Sequence, residues 1–148
     1  MRRAIAVHGR GHWPQDEAVD RVTLAFHDRH RRRIRLVADS GEAFFLDLPR
    51  VRHMAEDDGL ELESGGFIRV HAAPEPLYEI DAADRETLVR IAWHLGNRHL
   101  PLQIAGDRLR IRADHVVAEM VAGLGGKVTP VEAPFDPEIG AYAGHAHE

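Results

Sequence analysis

Histidine is the residue type in this sequence with the clearest capacity for chemistry. Eleven of the 148 residues are histidine, and the chain contains no cysteine. Neutral imidazole is a common protein ligand for nickel, copper and zinc. Without cysteine there is no disulfide framework, thiolate zinc site, iron–sulfur cluster or cysteine nucleophile. The composition therefore indicates a metal site built from nitrogen donors, without locating it.

Four histidines stand where their rings could converge on one metal ion. His99 follows a predicted helix and His115 begins another, whereas His145 and His147 lie two residues apart near the end of the chain. In an unstructured segment, the rings of this last pair can reach the same ion. The alternative for His99 or His115 alone is a polar residue at a helix end or an interface. The alternative for the terminal pair is a fragment without a role.

The first half of the sequence has the pattern of short strands separated by turns. Residues 34–37 and 43–48 flank an Asp-Ser-Gly-Glu turn, which is typical of a hairpin, and Pro49 is expected to end the second arm. Several short strands at turn-rich intervals predict a small β barrel or sandwich over residues 1–75, and binding of a partner or peptide is a candidate role for this domain. Residues 8–12, which include two histidines, are expected to form a disordered N-terminal arm.

Helical periodicity appears after Pro74 and Pro76, which bracket a predicted linker. Apolar residues recur at positions i, i+3, i+4 and i+7 in two segments, each preceded by aspartate that can cap a helix. These positions are Leu88, Ile91, Ala92 and Leu95 in the first segment and Val117, Met120, Val121 and Leu124 in the second. Gly96 and Asn97 are expected to end the first helix, because both tolerate the left-handed backbone conformation.

The order of elements in the second half predicts its architecture. Strand patterns flank and separate the two helices in the order β-α-β-β-α-β, which is the ferredoxin-like arrangement. We therefore expect an α+β protein: an N-terminal β domain, a ferredoxin-like domain over residues 76–137 and a flexible tail over 138–148. Proline and glycine suggest that mobility begins at Pro134.

Composition and missing motifs exclude several functional classes. No apolar run approaches the ~20 residues that span a bilayer, and the N-terminus lacks a signal-peptide pattern, so a cytoplasmic protein without membrane contact is expected. Residues 29–35 are rich in arginine, but their alternating pattern is typical of a strand. No clustered aromatic residues are present to stack bases, which argues against nucleic-acid binding. A small metallohydrolase is disfavoured because neither His-Glu-x-x-His nor Gly-x-Ser-x-Gly occurs.

Several stretches of the sequence resemble one known family. The Gly-Asn-Arg-His element lies within residues 92–104 and the Asp-His-Val element within 109–117, and the run from Ala133 to Tyr142 follows. Together with residues 32–50 and 59–70, they resemble the UreE family, the urease accessory nickel metallochaperones. The likeness extends over about residues 22–142, and its two histidine-containing elements are specific in combination.

The resemblance implies a non-enzymatic nickel carrier. UreE proteins are homodimers with an N-terminal β domain and a ferredoxin-like domain, and the histidine matching His99 binds nickel at the dimer interface. A two-fold axis supplies that imidazole twice, and His145 or His147 would add donors. Ni(II) is the expected cargo, and Cu(II) or Zn(II) are expected to bind as well. The implied partners are the urease accessory GTPase and its complex with the urease apoprotein.

Two departures from the family pattern affect the expected metal sites. Some relatives carry a long histidine-rich tail, whereas this sequence ends in His145-Ala146-His147-Glu148, so bulk nickel storage is not expected. Some relatives also have a histidine two residues before the one matching His115, where this chain has Ala113. A second site at His115 is therefore in question. A metal-free protein–protein adaptor on the same scaffold is the alternative function.

Overall fold

The computed structural model describes residues 1–138, which are mostly β-sheet. In this part of the chain, ten strands form one six-stranded and one four-stranded sheet, and two α-helices accompany them. The predicted mixture of α and β structure is confirmed at this level. The described residues divide into two compact units, Met1–Ala73 and the residues from Pro74 to 138. None of the helices in residues 1–138 has the length and apolar character needed to cross a membrane.

The first unit is a curled sheet of six strands. They are β1 (Arg2–His8), β2 (Ala18–Leu24), β3 (His30–Val37), β4 (Ala43–His53), β5 (Gly59–Leu62) and β6 (Phe67–Ala72). Their order across the sheet is β2-β6-β5-β1-β4-β3. The two ends of the sheet approach each other where the Asp39 N–H, just after β3, donates to the Arg21 carbonyl of β2 at 2.7 Å. Curling gives this sheet a closed apolar interior.

The interior of the first unit follows the two-residue period of its strands. Alternate residues of β4, Phe44, Leu46 and Leu48, are at most 2% exposed, and they pack with apolar residues of the other strands. The residues between them, including Phe45 and Asp47, point to the opposite face. The sheet is therefore apolar inside and mixed in character outside.

The prediction that residues 8–12 form a disordered N-terminal arm is wrong, because His8 is the last residue of β1, the Arg10 N–H donates to Asp58 Oδ1 at 3.0 Å, and the His12 N–H donates to the Gly9 carbonyl at 2.9 Å. Residues 2–8 form β1, which pairs in parallel with β4 and antiparallel with β5 near the centre of the sheet. Ala4 and Val7 are buried, and Arg2 forms an ion pair with the largely buried Asp20 at 3.0 Å. The N-terminal charges are thus neutralised by distant residues, which a local reading of the sequence cannot detect.

Two predictions based on proline are also wrong. Strand β4 continues through Pro49 to His53, because a register shift leaves residues 48–51 opposite only Arg32 of β3, and an irregular pairing tolerates the missing N–H. Pro74 and Pro76 belong to a strand, β7 (Pro74–Ala82), rather than to a linker.

The second unit has the element order β-α-β-β-α-β. After β7 come α1 (Arg85–Asn97), β8 (Gln103–Ala105), β9 (Arg108–Arg112), α2 (His115–Gly123) and β10 (Gly126–Pro134). The strands pair in the order β10-β7-β9-β8, and every pairing is antiparallel. Both helices contribute to one apolar core with the sheet, formed in part by Ile80, Ile91, Leu95, Leu109 and Val121.

The predicted starts of both helices are confirmed. The Asp84 carboxylate accepts the Thr87 N–H, and the Asp114 carboxylate accepts the N–H groups of Val116 and Val117, so each aspartate satisfies donors that the first helical turn leaves unpaired.

The predicted mobility from Pro134 onward is wrong for the residues up to 138. Phe135 is fully buried, and the Glu138 N–H donates to the Leu102 carbonyl at 2.8 Å. An aromatic side chain accounts for the difference, because its burial outweighs the flexibility that neighbouring prolines suggest. The rest of the predicted tail, with His145 and His147, lies outside the described residues.

Candidate metal site

The end of α1 determines the position of His99. The Leu100 N–H donates to the Leu95 carbonyl at 3.3 Å, and the His99 N–H donates to the Gly96 carbonyl at 3.0 Å. This pair of bonds is the Schellman arrangement, in which the residue after the helix adopts the left-handed conformation. That residue is His99, with φ of +58°.

The sequence suggested Gly96 or Asn97 as the left-handed residue, and this prediction is wrong. Both of these lie within α1. The Schellman arrangement places an apolar contact between the residues on either side of the turn, here Leu95 and Leu100, which share the core of the second unit. For Leu100 to return to this core, the chain must reverse at His99.

A histidine in this position has an energetic cost. Left-handed backbone costs an L-residue roughly 1 kcal/mol relative to glycine. Only Asp57 and His99 combine a side chain with positive φ among residues 1–138. Strained residues of this kind concentrate at functional sites. His99 is also exposed, so its imidazole is held on a rigid helix end and is accessible from solvent.

Two apolar side chains are exposed on α1 on the way to His99. Val89 and Trp93, one turn apart on the helix, are 59% and 63% exposed. The ring of the neighbouring His94 packs edge-on against the Trp93 indole, with centroids 5.0 Å apart. Sequence reasoning missed this surface, although the i, i+4 spacing of Val89 and Trp93 off the core-facing positions was a usable signal.

His115 has a different environment. It is the first residue of α2, its side chain is 84% exposed, and its Nε2 atom lies 3.3 Å from Oε1 of Glu119, one turn along the helix. The predicted position at a helix start is confirmed. The pair is open to solvent, and Ala113, two residues before His115, offers no metal-binding side chain.

Within residues 1–138, no three His, Asp or Glu side chains are arranged to hold a metal ion. A complete ligand set is thus not assembled from the described part of one chain. His99 and His115 belong to the same unit, which has a cavity of about 540 Å³ lined in part by the residues next to them in sequence: Leu100 and Pro101 after His99, and Ala113 and Asp114 before His115. No sequence pattern pointed to this cavity.

Carboxylates support the helix and the sheet of this unit. The pKa of Asp84 is lowered by hydrogen bonds from the side chain and the N–H of Thr87, so the carboxylate that caps α1 stays ionised. On the sheet, hydrogen bonds from Arg108 and Arg110 lower the pKa of Glu79. These groups stabilise the scaffold around His99 and do not themselves form a metal site.

Comparison with known proteins identifies the family of this chain. The profile described as the UreE urease accessory protein N-terminal domain matches residues 2–73, and the C-terminal domain profile matches residues 75–148. The chain belongs to the UreE family. The resemblance noted in the sequence is therefore confirmed, over both halves of the chain.

Individual relatives agree with this assignment. The chain is 56% identical over 148 residues to a urease accessory protein UreE of Rhodopseudomonas palustris strain HaA2, covering 100% of this chain and 68% of the relative. It is 51% identical over 133 residues to the UreE of Chelativorans sp. strain BNC1, covering 90% and 84%. The identity to the UreE of Agrobacterium fabrum strain C58 is 46% over 151 residues, covering 100% and 93%.

Proposed function

We propose that this protein is a nickel chaperone of urease maturation, which binds Ni(II) as a homodimer through His99. The observation that carries the proposal is the conformation of His99. This exposed imidazole is held at φ of +58° just beyond the end of α1, where glycine would cost less free energy. The names of the relatives, urease accessory proteins, supply the biological setting.

A dimer would make one imidazole per chain into a useful site. A two-fold axis beside His99 brings a second copy of the same ring, and the interface is self-complementary. The exposed Val89 and Trp93 supply apolar area for that interface. Tryptophan is among the residues that contribute most to protein–protein binding. The antiparallel strand order β10-β7-β9-β8 is the one expected of the ferredoxin-like domain that carries this interface in our proposal.

The remaining donors would come from histidines that can exchange. His145 and His147 lie in the sequence beyond the described residues, and either could add an imidazole to the two copies of His99. His115 with Glu119 would be a weaker, peripheral position. Nitrogen donors without thiolate suit Ni(II), Cu(II) and Zn(II), and Cu(II) is expected to bind at least as tightly as Ni(II). Nickel selectivity would then depend on metal supply and partners.

Delivery is the reason for a site with few protein ligands. A donor set completed by exchangeable imidazoles can release the ion without unfolding the core. The recipients we propose are the urease accessory GTPase and its complex with the urease apoprotein. The protein would act as a carrier and not as an enzyme, in keeping with the accessory role in the names of its relatives.

Calorimetric titration of the metal-free protein with Ni(II) at pH 7.5 tests this proposal. We expect a tight step near one ion per two chains. His99→Gly is the most informative variant, because glycine removes the imidazole and also relieves the left-handed strain that alanine would retain. We expect it to weaken binding by on the order of 100-fold or more, with the fold intact.

The matched control is His27→Gln, which removes an exposed imidazole from the first unit. Its nickel affinity should stay within about threefold of the native value. Affinity of the native protein should also fall on acidification, because only neutral imidazole binds metal. Weak nickel binding that His99→Gly leaves unchanged would contradict the proposal and favour a metal-free adaptor.

A further inference from the structure

The outer face of the first unit carries an aromatic side chain between two arginines. In the register of the sheet, Phe45 of β4 stands beside Arg35 of β3 on one side and Arg3 of β1 on the other. Phe45 is 39% exposed, and Val37, two residues beyond Arg35 on the same face, is 53% exposed. We call this surface the Arg35–Phe45 face.

This aromatic side chain is not required by the core. The interior of the unit is filled from the opposite face of the same strand, where Phe44 and Leu46 are fully buried. An exposed phenylalanine on a sheet face has no folding role that a polar or β-branched residue could not fill. Its position among charged side chains resembles the composition of protein interfaces, which are enriched in aromatic residues and arginine.

The arginines of this face differ in whether a carboxylate is paired with them. Arg3 and Arg33 both form ion pairs with Asp47, and Arg3 also lies 3.6 Å from Glu63 at the border. These arginines hold the pKa of Asp47 below its usual range. Arg35, in contrast, has no hydrogen-bonding or ion-pair partner among the side chains of residues 1–138. Its guanidinium is the one whose charge is available to a carboxylate from outside.

We propose that the Arg35–Phe45 face binds a segment of another protein that presents a carboxylate beside an apolar side chain. Arg35 would pair with the carboxylate, for which its planar fork of donors is well shaped. The apolar side chain would cover Phe45 and Val37. The Arg35–Phe45 face lies on hydrogen-bonded strands, so few backbone or side-chain groups need to be ordered when the partner binds. Binding would therefore lose little conformational entropy.

Nucleic acid fits this face less well than an acidic protein segment. Arg3 and Arg33 are already paired with Asp47, so the single unpaired charge of Arg35 suits one carboxylate better than a phosphate backbone, which is bound by a row of cations. The face also carries one aromatic ring, whereas proteins that bind single strands stack successive bases on several. Charge and aromatic content therefore both favour a protein partner.

The face contains no histidine, so it is separate from the nickel chemistry proposed above. Loss of binding here should leave the nickel stoichiometry unchanged, and loss of nickel binding in His99→Gly should leave this face active. Failure of either proposal can therefore be recognised without reference to the other.

The test uses the full chain and a synthetic probe peptide, acetyl-Glu-Asp-Leu-Phe-Asp-Glu-amide, followed by ¹⁵N–¹H chemical-shift mapping. We expect shifts on amides of residues 33–37 and 43–47. Arg35→Glu and Phe45→Ser should each weaken binding by on the order of tenfold or more, as expected for central interface residues. Two variants are used so that, if one of them fails to fold, the other still tests the proposal.

Two matched controls carry the same chemical changes elsewhere. Arg85→Glu reverses a charge on α1, and Val19→Ser removes an apolar side chain that is 59% exposed on β2. Both should bind the peptide like the native protein. The proposal would be overturned by no shifts up to millimolar peptide, by shifts that map elsewhere, or by equal binding to Arg35→Glu. Binding of an oligouridine probe that is tighter than binding of the peptide would also overturn the proposal, as would a changed oligomeric state in Phe45→Ser.

Discussion

The two units of this protein expose apolar side chains in different chemical settings. The first unit exposes Phe45 and Val37 on a paired sheet among arginines, with the nearby carboxylate of Asp47 already neutralised. The second exposes Val89 and Trp93 on α1, which is followed by the strained residue His99. Exposed apolar area of this kind indicates binding, and the neighbouring groups indicate what is bound. The first setting suits a charged partner, and the second suits a metal and a second copy of the chain.

Replacing each of the two exposed aromatic residues by glutamate should give the largest effects and separate these two roles. Trp93→Glu is expected to weaken a dimer by roughly 4 kcal/mol, because a self-complementary interface loses two copies of a residue worth about 2 kcal/mol each. Phe45→Glu should leave the dimer intact. Sedimentation velocity over a range of concentrations measures both. If Phe45→Glu dissociates the protein and Trp93→Glu does not, the roles given to the two surfaces are reversed.

Each unit also contains a glycine whose missing side chain lets another element pack closely. A Cβ atom at Gly59 would lie under 3.0 Å from three atoms of the Trp13 indole, and one at Gly126 would lie under 3.0 Å from Val121 and Ile91. We expect Gly59→Ala and Gly126→Ala each to lower the free energy of unfolding by about 2–3 kcal/mol. Urea unfolding, with Trp13 and Trp93 fluorescence reporting on the two units, measures the effect.

The control for these variants is Gly123→Ala, at a position where an added methyl group would meet no atom of residues 1–138 within 4 Å outside its own helix. Gly123 is the last residue of α2, so alanine should raise the free energy of unfolding by roughly 0.5 kcal/mol. If the Gly59 and Gly126 variants are as stable as this control, the close packing described here is incorrect.

A smaller effect is expected from a buried carboxyl of the first unit. Asp58 accepts the N–H groups of Arg10 and Ala55 at 3.0 and 2.8 Å, and burial raises its pKa above the ordinary 3.8. Asp58→Asn turns an amide NH₂ group towards one of these donors and should cost about 1–2 kcal/mol. No carboxylate of the second unit is expected to behave in this way.

The pH dependence follows from the direction of that shift. Because the folded state holds the Asp58 proton more tightly, the native protein loses stability from this group as pH rises from about 3.8 through the raised folded-state pKa. The asparagine variant does not titrate, so its disadvantage should shrink over that window. Urea unfolding of both proteins between pH 3.5 and 7 tests this, and a disadvantage that grows with pH would contradict it.

The smallest effects should come from the helix caps of the second unit. Asp114 accepts two backbone N–H groups and Asp84 accepts one, so Asp114→Ala should cost about 1 kcal/mol and Asp84→Ala somewhat less. Thermal unfolding of both variants measures this order. A larger loss for Asp84→Ala would mean that contacts other than capping determine the helix starts.

Local patterns predicted the features that depend on neighbouring residues. The core-facing positions of both helices and their capping aspartates followed from spacing alone, as did the hairpin around residues 39–42. The approximate place of His99, just after the first helix, was also readable. In each case the stabilising contacts lie within a few residues along the chain, so the sequence contains them directly.

Long-range contacts account for the predictions that were wrong. Residues 8–12 are ordered because His8 pairs with Gly59 in the sheet and Asp58 accepts the Arg10 N–H. Pro49 remains within β4 because an irregularity opposite Arg32 absorbs it. Phe135 is ordered because it has a buried place in the fold. None of these partners is near in sequence, so no local pattern indicates them.

The sequence by itself determined the supply of nitrogen donors, the exclusion of thiolate chemistry, the helices with their caps and the family. Tertiary structure decided which residue reverses the chain after α1. Gly96 and Asn97 have the conformational freedom, but the pairing of Leu95 with Leu100 in a shared core places the left-handed turn at His99. It also decided which apolar side chains remain exposed. Burial depends on elements that meet only when the chain folds, whereas helix capping and periodicity act within a few residues.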